Sequence, residues 1–191
     1  MSAIAIQVRP HWDYYLTIVE DLEKTARFVE FSEANFSAYS IEFVRIILSV
    51  GSEIDVVAKS LCAKIKPKEK PQNIDEYREI IVAKHSRIST IKIAAPKYRL
   101  TFTPWQDWGS NRNPGWWKVY NKVKHQRDVY YTDATLQNAL LGSSALCVLL
   151  GYLYPQFFAS KVISIGRPFL FFDDKYGVGN FILTGRKYAL P

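Results

Sequence analysis

The sequence predicts a mainly α-helical bundle that carries a small β-rich part, and three observations lead there. Apolar residues recur at a helical period over 10–65 and again over 115–154. The longest apolar run, Ala139 to Tyr154, is interrupted by Gly142, Ser143, Ser144 and Gly151 and is shorter than the roughly 20 residues that cross a bilayer, so it reads as a buried core helix. Strand-like alternation replaces the helical period only in segments 90–103 and 160–187. A chain of 191 residues, 48% hydrophobic, has material for one core, hence a single helical domain with a C-terminal strand-rich extension.

The first helix is expected from about Pro10 to Glu30, with Trp12, Tyr15, Leu16, Val19, Leu22 and Ala26 at helical spacing and Pro10 suited to a first turn. A longer one should run from about Ser37 to Ile65. Val44, Ile47, Leu48, Gly51, Ile54, Ala58, Leu61 and Cys62 form its apolar stripe, and Pro67 marks its end. Its other face carries Glu42, Arg45, Ser49, Ser52, Glu53, Val56 and Lys59, which reads as a solvated line of charge pairs. Lys64 to Asn73, rich in Lys and Pro, is the best linker.

Asn73 suits the cap of a short helix reaching about Lys84. Ile91, Ile93, Tyr98, Leu100 and Phe102 then alternate, as in a hairpin turning around Ala94 to Lys97. A helix starting near Pro114 should continue to about Tyr130, and another should run from Thr132 to Tyr154, ending before Pro155. The end of the chain returns to strand and turn signals, ISI, FLFF and FIL, which could join the 90–103 segment in one small sheet.

Composition excludes more than it assigns. The net charge of +7 makes an anionic partner such as RNA or a nucleotide a natural candidate. Cys62 and Cys147 lie in apolar helical patterns without metal-ligand spacing and read as buried free thiols. The start MSAIAIQVRPHWDYY lacks the features of a signal peptide, so a cytoplasmic protein with no membrane association is expected. Phosphate-binding loop, dinucleotide, nucleophile-elbow and zincin motifs are missing, and His11, His85 and His125 are too scattered for a metal set; neither metal nor cofactor is expected.

One polar cluster remains: Trp116, Trp117, Tyr120, Asn121, Lys124, His125 and Arg127, in the pattern WWxxYNxxKHxR ahead of the long apolar helix. On a continuous helix Trp116, Tyr120, Val123 and Arg127 would share one face, and Trp117, Asn121, Lys124, His125 and Asp128 another. With the preceding long helix, over roughly 37–154, this pattern resembles the HEPN superfamily of helical nucleotide- and RNA-associated domains, its uncharacterised bacterial members above all. Nuclease members carry an Arg, commonly followed by Asn, and a His about four to six residues on. Asn121 and His125 match. Tyr120 stands where the Arg would be, and the wider windows offer only Val119 and Lys118, so the motif is incomplete.

The resemblance implies a metal-independent ribonuclease of a bacterial defence or toxin system. His125 would be acid or base, Asn121 its orienting partner, and Lys124, Arg127 and Lys118 the phosphate-binding cations, with Tyr120, Trp117 and Glu53 in supporting positions. It also implies a homodimer, in which two basic helices would build one composite anion cleft. The alternative is a noncatalytic binding or structural partner protein, in which Asn121 and His125 are interior polar residues bonded to the Glu53 helix. Trp105, Trp116 and Trp117 then read as packing rather than base-stacking residues.

Overall fold

The structure is a computed structural model that describes residues 9–155 and 170–172. Among these described residues five α-helices form the body, as the periodicity predicts, and boundaries move where tertiary burial overrides local pattern.

Helix α1 spans Pro10–Thr25 and buries Trp12, Tyr15, Ile18, Val19 and Leu22. It stops short of Glu30. The Thr25 hydroxyl donates to Leu22 O at 2.6 Å, and Phe28 N and Val29 N both return to Thr25 O, closing a turn. Leaving the helix there lets Phe31 reach the core, where its ring lies 4.7 Å from that of Tyr98.

Helix α2 spans Ile41–Ile65 rather than starting at Ser37, because extended Ser40 is its cap and accepts from Phe43 N at 3.2 Å. Just before it, Tyr39 bridges to Thr135. Helix α3, Ile74–Lys84, is capped by Asn73 as expected; Asn73 Oδ1 accepts from Asp75 N and Glu76 N, and Glu76 reaches back to Gln72 N at 2.7 Å.

The hairpin joins β1, Ile93–Ala95, to β2, Leu100–Phe102, pairing Ile93 with Phe102 and Ala95 with Leu100. Its turn lies later than Ala94 to Lys97: Pro96–Tyr98 form a short 3-10 turn and Arg99 takes a left-handed φ of 55°. Phe171–Phe172 form β3 on the other edge of β1, so β1 is central and the C-terminal segment contributes to the same sheet. The rest of the expected 160–187 strands lies outside the described residues.

Helix α4 spans Gly115–His125, with Pro114 as its cap residue, and does not continue to Tyr130. Gln126 N closes on Lys122 O, Val129 N and Tyr130 N turn back to Gln126 O, and the aromatic and β-branched run from Val129 to Thr132 is a poor helix former. Helix α5, Leu136–Leu153, begins later than Thr132 because Thr135 is its cap. It is long and apolar enough to cross a membrane, yet 78% of it is buried inside the fold.

Helix α2 is central, packing against α1, α3, α4 and α5. Two glycines set the approach. A Cβ on Gly51 would overlap the Tyr120 ring, and one on Gly142 would stand 3.2 Å from Val50 Cγ1. The loop before α4 is held by tryptophans: Trp105 Nε1 donates to Ala145 O at 3.0 Å, and Trp116 Nε1 to Pro104 O at 2.8 Å. Arg78, only 7% exposed, fastens the same loop to α3 by donating to Asn111 and Asn113 while pairing with Asp75 at 2.8 Å. The tryptophans are therefore packing residues, as read.

Gly51→Ala should lower the urea unfolding midpoint, with overpacking against Tyr120 costing about 1–3 kcal/mol and outweighing the roughly 1 kcal/mol that Ala gains over Gly in a helix. Burial also pushes the free thiols up, Cys62 to about 11 and Cys147 to about 12, and the Tyr152 phenol to about 12. Their unfolded counterparts ionise nearer 9.0 for cysteine and 10.0 for tyrosine. The unfolded chain therefore loses these protons first, and stability should fall as pH rises from about 9 toward 12 while varying little with these groups below that. Melting temperatures measured across pH 8–11 check the sign.

Candidate nucleic-acid interface

Helix α4 divides sharply into two faces. Trp116, Trp117, Tyr120 and Val123 are buried, with Trp117 perpendicular to Trp116 at 5.9 Å and tilted against Tyr120 at 5.0 Å. Lys118, Lys122, Lys124 and His125 are exposed, and Arg127 follows at once, also exposed. Lys122, Lys124 and His125 occupy the last turn, where the carbonyl end of the helix favours positive charge, so the local field offsets part of their mutual repulsion.

The cations differ in how they are held. Lys122 reaches Asp133 at 3.2 Å and lies 4.7 Å from the Tyr130 ring centroid, whereas Lys124 lies 5.5 Å from that of Tyr120. Lys118 and Arg127 lie at either end of the patch, and neither side chain makes a hydrogen bond or ion pair among the described residues. Arg127 belongs to the turn after α4, so it does not share the buried face with Trp116, Tyr120 and Val123 as the helical pattern implied.

His125 is the last residue of α4 and is exposed; Asn121, one turn earlier, is half-buried and donates its Nδ2 to Trp117 O at 2.9 Å. Neither is bonded to Glu53, which corrects the expectation of an interior polar network. Glu53 Oε1 instead meets His11 Nδ1 at 2.6 Å, fastening α1 to α2, and the Tyr154 ring stacks 6.5 Å from His11. That pairing spans 42 positions and carries no local signal.

Beside α4 lies a feature that sequence reasoning missed, a cleft of about 470 Å³ between α2 and α4, closed at one end by the start of α3. Ser52, Asp55, Val56 and Lys59 line it from α2, and Asn121 and Lys124 from α4; His125 does not line it. Asp55 is fully engaged: Tyr77 OH donates to Oδ1 at 2.8 Å and Lys59 Nζ to Oδ2 at 2.6 Å. Burial, then the bond to Asp55, holds the Tyr77 phenol well above its ordinary range, so it stays a donor. The one trace of the cleft in the sequence is Val56, an apolar residue within an otherwise polar line, and it is 44% exposed.

The start of α3 is already capped, Asn73 Oδ1 accepting from Asp75 N and Glu76 N, and the Glu76 carboxylate lies beside it, accepting from Gln72 N. Among the described residues no three His, Cys, Asp or Glu side chains gather as metal ligands would. What the arrangement offers chemically is therefore a cationic turn open to solvent with a polar, half-enclosed cleft at its side. No family model, curated protein or solved structure matches the chain.

Proposed function

We propose that this chain is an RNA- or nucleotide-associated domain of the HEPN-like kind that grips phosphates with the exposed end of α4. The observation that carries this reading is the gathering of Lys122, Lys124 and His125 on the last turn of α4, with Lys118 one turn earlier and Arg127 just after the helix, all of them exposed. Phosphate contacts by such side chains release condensed counterions, so affinity would come largely from charge and fall with salt.

Binding without cleavage is the leading form of the proposal. The position that carries Arg in the nuclease pattern is Tyr120, a neutral phenol whose ring is packed on Gly51 and which supplies no cation for a phosphate. The catalytic form rests on the exposure of His125, which leaves its imidazole accessible to a phosphodiester one turn from Asn121 and between cations. A homodimer pairing two basic turns, a protein partner in a bacterial defence or toxin system, and a cytoplasmic setting belong to the same proposal.

Fluorescence anisotropy with labelled single-stranded RNA tests the binding. Affinity should fall steeply from 50 to 200 mM salt, and Lys118→Ala or Arg127→Ala should each weaken it and reduce the log–log salt slope by about 0.7. No binding at 50 mM salt would overturn the reading. Incubating the RNA with protein in EDTA separates the two forms: intact RNA supports binding alone, while cleavage abolished by His125→Ala at an unchanged melting temperature would establish the catalytic one. Light scattering should give twice the chain mass at micromolar concentration.

A further inference from the structure

We infer that the cleft between α2 and α4 is a subsite for one unpaired nucleotide of a single-stranded RNA whose phosphates lie along the end of α4. This rests on the proposed phosphate binding and adds to it a second, chemically different contact.

Three features of the cleft point to a nucleoside. First, Lys124 belongs both to the cleft wall and to the cationic turn, so a phosphate held there places the attached sugar and base at the cleft mouth. Second, the volume of about 470 Å³ falls within the range of roughly 300–1,000 Å³ typical of small-ligand pockets. Val56, exposed on an otherwise charged helix face, supplies an apolar ledge for a ring. Third, the polar groups fit a base edge. Asn121 spends one Nδ2 hydrogen on Trp117 O, which leaves a second amide hydrogen and the Oδ1 acceptor for the edge of a nucleobase.

Charge agrees with this assignment. Asp55 is the one carboxylate among the described residues lining the cleft, and Lys59 and Tyr77 hold both of its oxygens. Its field is thereby largely cancelled, so the cleft does not repel a neighbouring phosphate. A duplex keeps its bases stacked inside and offers nothing for this pocket, so single strands should be preferred.

The test uses the full chain and a single-stranded RNA carrying one 2-aminopurine. Entry of that base into the cleft should raise its fluorescence as it leaves its neighbours' stack. Val56→Trp, which fills the cleft from an exposed helix position, should abolish the rise and weaken affinity roughly tenfold, the scale of one lost base contact, while leaving the salt slope unchanged. Val56→Ser should weaken affinity in the same direction by removing the apolar ledge without adding bulk or charge, and circular dichroism melts identify any variant that fails to fold. Lys118→Ala should show the opposite pattern, a reduced salt slope with the fluorescence rise retained at saturation. RNA binding that depends on Lys118 but is indifferent to both Val56 variants would overturn the cleft assignment alone. Absence of wild-type binding would overturn the phosphate-binding reading, and this inference with it.

Discussion

Helix α4 meets α2 at a point where α2 has no side chain. The ring of Tyr120 occupies the space that a Cβ on Gly51 would need, and this close approach orients everything else on α4. With Tyr120 fixed inward, the helical period sends Trp116, Trp117 and Val123 to the core and leaves Lys118, Lys122 and His125 on the outer side. Lys124 and Asn121 fall at the boundary, where they become the α4 wall of the cleft. The tryptophan cluster supports this from behind, Trp105 standing perpendicular to Trp116 at 5.1 Å and bonding to Ala145 O of α5.

Electrostatics at this surface is arranged by what is neutralised as much as by what is left open. Carboxylates on α2 are all partnered: Glu42 with Arg45, Asp55 with Lys59 and Tyr77, and Glu53 with His11. The exposed ones, Glu42 with Arg45 and Asp55 with Lys59, add little stability, since solvent screens them. Asp55, which lines the cleft beside α4, is thus already partnered, and among the described residues the α4 cations are answered by Asp133 on Lys122. Such a surface attracts an extended polyanion more readily than it binds one tightly.

Helix existence was legible in the sequence because a buried face imposes its period on the residues that fill it, as Val44, Ile47, Ile54, Ala58 and Leu61 do on α2. The Asn73 cap was legible because its chemistry is local. Boundaries set by distant contacts were not. Helix α1 ends early so that Phe31 can pack on Tyr98, and α4 ends at His125 because the following aromatic run folds back toward Lys122. The same limit separates the two halves of the candidate site. Asn121, Lys124 and His125 lie close in sequence and could be singled out, whereas the opposite wall comes from Ser52, Asp55 and Val56, and Tyr77 reaches Asp55 from another helix. Nothing in the chain announces that meeting, because it is created by the glycine contact between α2 and α4.

The proposed RNA contact is tested most directly by amide chemical-shift mapping with isotope-labelled protein. Titration with a short single-stranded RNA should shift the resonances of residues 117–127 together with those of 52–59 on the facing stretch of α2, and leave α1 unmoved. Shifts confined to other surfaces, or none at an RNA excess in low salt, would contradict it.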